Sequence, residues 1–221
     1  MAYQWNFQVV STYSGALLHG IGITLLLTIC SVVPGTLLGA VIAWGRLSTK
    51  PVIRAFFWFY IEVFFAIPVL VLLVWVYYCL PVLLHLRLSA FQTAWICLML
   101  SLSAFVAEIV RAGVSSIPKG EVEAARVLGM TRWQIFRLII FPQAFRRMMP
   151  ALLGQYITAL KLSSLASIIG VTEIIYQTQL SIAHTYRPLE LYTAAALAYV
   201  VIVLPLSLTM KRFESRIQTF G

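Results

Sequence analysis

Apolar residues run through this chain in long blocks, broken by short segments that hold most of its charge. A helix of about 20 apolar residues spans the roughly 30 Å hydrocarbon core of a bilayer. Five blocks meet or approach that length, at about 17–44, 52–80, 90–112, 151–171 and 191–210. The first is long enough to tilt or protrude. The fourth is the most polar, interrupted by Gln155, Lys161 and several serines. Within the first, Gly35 and Gly39, extended by Ala43, place small residues one turn apart. That spacing lets two helix backbones approach closely in lipid. The pattern predicts an all-α integral membrane protein, one domain over residues 1–221, with five transmembrane helices.

The basic residues test that count, because cytoplasmic connections collect Lys and Arg. None precedes the first block. Arg46, Lys50 and Arg54 follow it, then Arg87 alone, then Arg111, Lys119, Arg126, Arg132, Arg137, Arg146 and Arg147. Arg187 stands alone in the next connection, and Lys211, Arg212 and Arg216 lie in the tail. Poor and rich segments alternate, which predicts an outside N-terminus and a cytoplasmic C-terminus. Without the fourth crossing, the basic tail would fall on the wrong side.

Composition agrees. The chain is 61% hydrophobic and 10% charged, whereas soluble domains carry about 25% charged residues. A net charge of +9 raises nucleic acid as a partner, but that reading needs the cations on one water-facing patch. Here they separate apolar blocks, so no nucleic-acid binding is expected. Cys30, Cys79 and Cys97 lie in apolar stretches without zinc spacing, and read as small core residues. Residues Met1 to Val10 lack the positive region of a cleaved signal peptide, so the first helix is expected to act as its own insertion signal. Trp44, Trp58, Trp75, Tyr77 and Tyr78 fall near block ends or bends and read as interfacial anchors.

The connection at about 113–150 is too long and too amphipathic for an idle loop. Pro118 can open a helix, since its missing N–H would have no partner there. Gly129 can close that helix in the left-handed conformation. Thr131 and Gln134 form a T-x-x-Q capping box that starts a second short helix, and Pro142 is expected to limit its end. Such a helix pair either rests on headgroups through Ile135, Phe136 and Ile139 or docks a partner. For docking, Ala124 and Ala125 offer a low-profile surface flanked by Glu123 and Arg126. Composition leaves both open.

The string Glu123-Ala124-Ala125, then Gly129, then Ile139-Ile140-Phe141-Pro142 resembles the EAA loop of ABC importer permeases. Phe141 stands where the family pattern has leucine. Ile117-Pro118-Lys119-Gly120 before it and Phe141-Pro142-Gln143-Ala144 after it resemble the polar amino acid branch, and the likeness runs from about His19 to the C-terminus. The resemblance implies a type I ABC importer permease fold whose EAA loop forms coupling helices in a cleft of the ATP-binding subunit. It implies an ABC ATPase dimer, a second permease copy or homologue, and an extracytoplasmic amino-acid-binding protein, all at a bacterial plasma (inner) membrane. The ATPase-coupling residues would be Glu123, Ala124, Ala125, Arg126 and Gly129. No P-loop G-x-x-x-x-G-K-[ST] occurs in the chain. ATP and Mg are therefore expected in the partner ATPase, with no cofactor and no catalytic residue in this chain. Members often carry arginine in the second span where Phe64-Phe65 stands, asparagine at Gly154, and Lys-Asp-Thr-Ser-Leu at Lys161-Leu162-Ser163-Ser164-Leu165. The Ser-Ser variant resembles the glutamate/aspartate subgroup.

Ionisable groups inside spans cost roughly 2.5–3.5 kcal/mol or more near a helix centre and usually face protein or a wet cavity. Glu108 is expected to pair with Arg111 one turn on. Glu62 precedes Pro68, where a kink would free backbone carbonyls, and Lys161 stands beside Ser163 and Ser164. These five, Glu62, Pro68, Lys161, Ser163 and Ser164, are the candidate lining of a substrate path, with Lys161 toward an amino acid carboxylate. Packing of Lys161 against neighbouring carbonyls is the plainer alternative. A secondary transporter or channel driven by ion gradients is the rival function, and it predicts repeated halves with matching helix breaks. Five spans do not divide that way. A membrane enzyme is disfavoured because His19, His85 and His184 are dispersed.

Overall fold

The first apolar block forms a single helix, α2 (Ser14–Arg46), of 33 residues and so about 50 Å long. It follows one turn, α1 (Gln8–Thr12). The computed structural model describes residues 3–218, with side chains up to Lys211; the Arg212 and Arg216 side chains of the topology argument lie outside the described residues. Three hydroxyls of α2 are satisfied within the helix. Thr24, Thr28 and Ser31 hydroxyls donate to the carbonyls of Gly20, Thr24 and Leu27 at 3.0, 2.7 and 2.8 Å.

The third block, α6 (Ala90–Ser115), is the hub of the bundle. A capping box of Ser89 and Gln92 starts it. Its Ala94, Cys97, Leu98, Leu102, Ala104, Val106 and Ala107 are buried. The small-residue stripe of α2 meets it: a Cβ on Gly39 would lie 2.7 Å from both Ser103 O and Val106 Cβ. Close approach expected in lipid is thus made within the chain.

The second block breaks. Helix α3 (Pro51–Ala66) and the run from α4 (Val69–Tyr78) into α5 (Leu80–Leu84) are bent by 96°. The single helix anticipated at 52–80 is corrected to a broken pair, sharper than a kink. Ile67 is extended (φ −91°, ψ 117°), the conformation imposed on a residue before proline, and Pro68 has no N–H to continue the ladder. Among the described residues, four helices are long and apolar enough to cross a membrane, and the α3–α4 pair makes five spans if counted as one.

After α6 come α7 (Lys119–Val127), with Pro118 at its cap, and α8 (Arg132–Ile135). Pro142 does not end the second short helix, a further correction. The chain passes through a π-helical turn, Phe136–Ile140, directly into α9 (Phe141–Leu162). The wider π turn coincides with the place where Pro142, lacking its N–H, would disturb an α-helical ladder. Helix α9 tightens to a 3-10 segment, Ser163–Ile169, that stops at Gly170.

A helix the hydrophobic blocks did not predict, α10 (Ile174–Thr185), lies between the fourth and fifth spans. It abuts α2 so tightly that a Cβ on Gly20 would sit 2.9 Å from Ile174 Cα. The last helix is α11 (Pro188–Gln218). Its fully buried Glu190 clasps the N-terminal segment, accepting from the Tyr3 hydroxyl and from Asn6 N at 2.9 Å, with Arg187 at 3.6 Å. The hydrogen bond to that carboxylate raises the Tyr3 phenol above its ordinary value.

Candidate functional site

Helix α7 is built to hold one face inward and present the other. Its C-terminus is a Schellman arrangement: Gly129 N donates to Arg126 O at 3.0 Å and Met130 N to Ala125 O at 3.1 Å. This requires the left-handed Gly129, at φ +77°. The Thr131–Gln134 capping box then closes, with Gln134 N to Thr131 Oγ1 at 3.3 Å and Thr131 N to Gln134 Oε1 at 2.8 Å. Glu121 accepts from Gln143, which bonds α7 to α9, and Arg147 Nη1 of α9 donates to Ser116 O at the end of α6 at 2.6 Å, so the two spans flanking α7 are joined beside it. Ala125 is 2% exposed. Glu123, Ala124, Arg126 and Gly129 are exposed, together with Val127 at 88% and Leu128 at 81%. Two apolar side chains projecting this far, rimmed by charge, mark a contact surface for another protein or for the membrane. The five sequence candidates therefore divide: Ala125 and Gly129 shape the helix, while Glu123, Ala124 and Arg126 face outward. Val127 and Leu128 were missed, because sequence alone does not say which face of a short amphipathic helix is free.

A second candidate lies between α9, α10 and α11. A cavity of about 530 Å³ is lined by Lys161, Ser164, Tyr199 and Ser207, with Val203 and Leu204 as apolar walls. Among the described residues, Lys161 is its only formally charged lining residue. Ser164 Oγ donates to Lys161 O at 2.7 Å. The Tyr199 hydroxyl donates to Glu173 Oε2 at 3.2 Å, and Tyr176 N donates to Glu173 Oε1 at 2.9 Å. Glu173 is fully buried, a position a carboxyl tolerates only when bonded in this way. It caps α10 and holds the tyrosine at the cavity wall. Its signal in the sequence was an acceptor just before an apolar run, Ile174-Ile175.

Of the five path candidates, the structure brings Lys161 and Ser164 to this cavity. Ser163 is buried, its hydroxyl donating to Leu160 O at 2.7 Å. Glu62 is exposed on α3 and Pro68 forms the break, both apart from the cavity lining. Glu108 pairs with Arg111, whose Nε lies 3.0 and 2.9 Å from the two carboxylate oxygens. No group of His, Cys, Asp and Glu among the described residues could hold a metal ion.

Known proteins resemble this chain throughout. It is 35% identical to the glutamine transport system permease protein of Escherichia coli (strain K12) over 216 residues, covering 97% of this chain and 99% of that one. The arginine transport system permease protein of Bacillus subtilis (strain 168) is 35% identical over 206 residues, covering 92% and 93%. The glutamate/aspartate import permease protein of Escherichia coli O157:H7 is 34% identical over 221 residues, covering 97% and 99%. The crystal structure of an amino acid ABC transporter with histidines matches with a TM-score of 0.91 at 34% identity, covering 97% of this chain and all of that one. An inward-facing methionine ABC transporter, at 22% identity and a TM-score of 0.72, shares the fold. Residues 35–219 match the sequence pattern of the binding-protein-dependent transport system inner membrane component, and the chain belongs to that family.

Proposed function

We propose that this chain is the permease subunit of an ATP-driven, binding-protein-dependent importer of amino acids, polar ones in particular. Glutamine, arginine and glutamate/aspartate appear in the names of its relatives, and Lys161 gives the cavity between α9 and α11 a cation for a substrate carboxylate. A permease of this family has no use for the repeated halves of an ion-gradient-driven transporter, and that alternative is set aside.

The observation that carries the coupling mechanism is the outward face of α7, with exposed Ala124, Val127 and Leu128 on a helix bonded to α9, which is itself bonded to the end of α6. In this reading the face seats in an ABC ATPase dimer that binds ATP and Mg. Closure of the dimer draws the α7 helices of two permease chains, a second copy or a homologue, toward each other. The attached spans rock and turn the cavity from inward to outward. An extracytoplasmic amino-acid-binding protein then delivers solute into it. Nucleotide shifts this equilibrium only if docking differs in free energy between the two states. The N-terminus lies outside and the C-terminus and α7 in the cytoplasm, following the Lys and Arg alternation.

Ala124→Glu tests it in vesicles reconstituted with the ATPase. An unpaired charge buried at a contact costs several kcal/mol, so uptake falls at least about tenfold while membrane insertion is retained. Normal substrate-stimulated ATPase and uptake in that variant would refute docking through α7.

A further inference from the structure

A second, larger cavity, about 970 Å³, opens between the C-terminal part of α2 and the segment running from α8 into α9. It belongs to neither the docking face nor the α9–α11 cavity. One wall runs along α2 from Thr36 to Gly45, ten residues, or about 15 Å of helix, and continues past its end to Thr49. The facing wall runs along α9 from Phe141 to Leu152, of similar length. The groove is polar at one end only. Ser48, Thr49 and Arg132 stand at its mouth. Arg132 is the only formally charged lining residue, and it has no carboxylate within 4.0 Å among the described residues. At the far end the Thr36 hydroxyl is already satisfied, donating to Tyr156 Oη at 2.9 Å.

Between these ends the wall is aromatic. Phe136 of the π turn stands at the centre of a chain of rings, 6.3 Å from Trp44, 5.9 Å from Trp133 and 6.0 Å from Phe141, which lies 5.8 Å from Phe145. Trp44, Trp133, Phe141 and Phe145 remain exposed. An elongated apolar slot with a cationic mouth, at the level where a span meets its basic connection, matches an amphiphile lying parallel to α2. Trp and Tyr prefer that interfacial level, and basic pockets on the cytoplasmic side take anionic lipid headgroups.

We infer that this groove binds an anionic phospholipid, one acyl chain along the Phe136–Phe145 wall and the phosphate at Arg132. The ligand touches both the α2 end and the α8–α9 junction. The inference is independent of the solute carried and of ATPase docking. It takes from the proposed function only the sidedness, which makes the cytoplasmic leaflet the source.

Native mass spectrometry of the intact purified complex, exchanged into micelles with phosphatidylglycerol or phosphatidylcholine, tests it. Wild type is expected to retain phosphatidylglycerol in preference. Arg132→Gln should weaken retention about fivefold, the effect of one cation at an anionic surface. Ala40→Trp, which fills the groove from an exposed lining position, should abolish it with the complex still assembled. Equal retention of both lipids, or retention unchanged in both variants, would overturn the proposal. So would crosslinks from Phe141→Cys to a second permease chain, which would assign the groove to a protein interface. Thr49→Cys reports sidedness: labelling only from the cytoplasmic face supports the leaflet named, and labelling from outside overturns it together with the cytoplasmic placement of α7, whereas the lipid-retention results leave the coupling reading untouched.

Discussion

Gly39→Ala and Gly22→Ala add the same methyl to the same helix, and the structure assigns them opposite signs. Both replacements gain about 1 kcal/mol of helix propensity. At Gly22 a Cβ meets nothing within 4 Å. At Gly39 it would sit 2.7 Å from the Ser103 carbonyl oxygen and from Val106 Cβ. The first is backbone and cannot rotate away. Restoring an ordinary contact of 3.4 Å parts α2 and α6 by about 0.7 Å, the difference of the two distances. A gap of that size forfeits about a quarter to a half of the dispersion well for each atom pair along the seam. Overpacking of this kind costs about 1–3 kcal/mol. The propensity gain cancels between the two variants, so Gly39→Ala should be less stable than Gly22→Ala by that amount, a factor of about 5 to 150 in the folding equilibrium. Titrating the purified protein from dodecylmaltoside into dodecyl sulfate, with helicity and hydrogen exchange as readouts, measures the difference. If the two variants unfold together, or Gly39→Ala is the more stable, the close α2–α6 seam is wrong.

Gly129→Val forces a β-branched residue into the left-handed region, at a cost of at least about 1–2 kcal/mol, and amides of residues 124–130 should exchange faster while the spans stay protected. Thr131→Ala removes the cap and should loosen the start of α8 by about 1 kcal/mol, read as loss of protection at Trp133 and Gln134. Lys161→Ala should raise the substrate concentration needed for half-maximal uptake at least about tenfold if the lysine meets a carboxylate; unchanged uptake and unchanged preference among labelled amino acids would reject that role. Pro68→Ala should open the bend between α3 and α4, visible as a longer distance between spin labels at residues 58 and 75, and an unchanged distance would show that packing rather than proline sets the angle.

Much of this architecture was legible in the order of residues. Blocks of about 20 apolar positions and the alternation of basic connections predicted the spans, because lipid tolerates few alternatives to an uninterrupted helix. Gly35 and Gly39 announced a close helix contact, and the Pro118, Gly129 and Thr131–Gln134 signals outlined the helix pair between α6 and α9. Local chemistry was a poorer guide where tertiary geometry decides. Pro142 reads as a stop, yet a π turn carries the chain past it. Pro68 reads as a kink, yet the following helix departs at 96°. Helix α10 is too short and polar to register as a block, and it exists by packing on α2 beside Gly20. Glu173 and Glu190 fall in the connection before α10 and at a span's start, where carboxylates usually meet water. Their burial depends on Tyr199, Tyr3 and Asn6, partners brought from other parts of the chain.

The central claim, that the exposed face of α7 transmits force from an ATP-hydrolysing neighbour, is tested most directly by a photo-crosslinking residue at Val127 in the assembled, membrane-embedded complex. The account predicts a crosslink to an ATPase polypeptide whose yield changes when nucleotide is added. Crosslinks to lipid alone, with none to any other polypeptide in either nucleotide state, would contradict it.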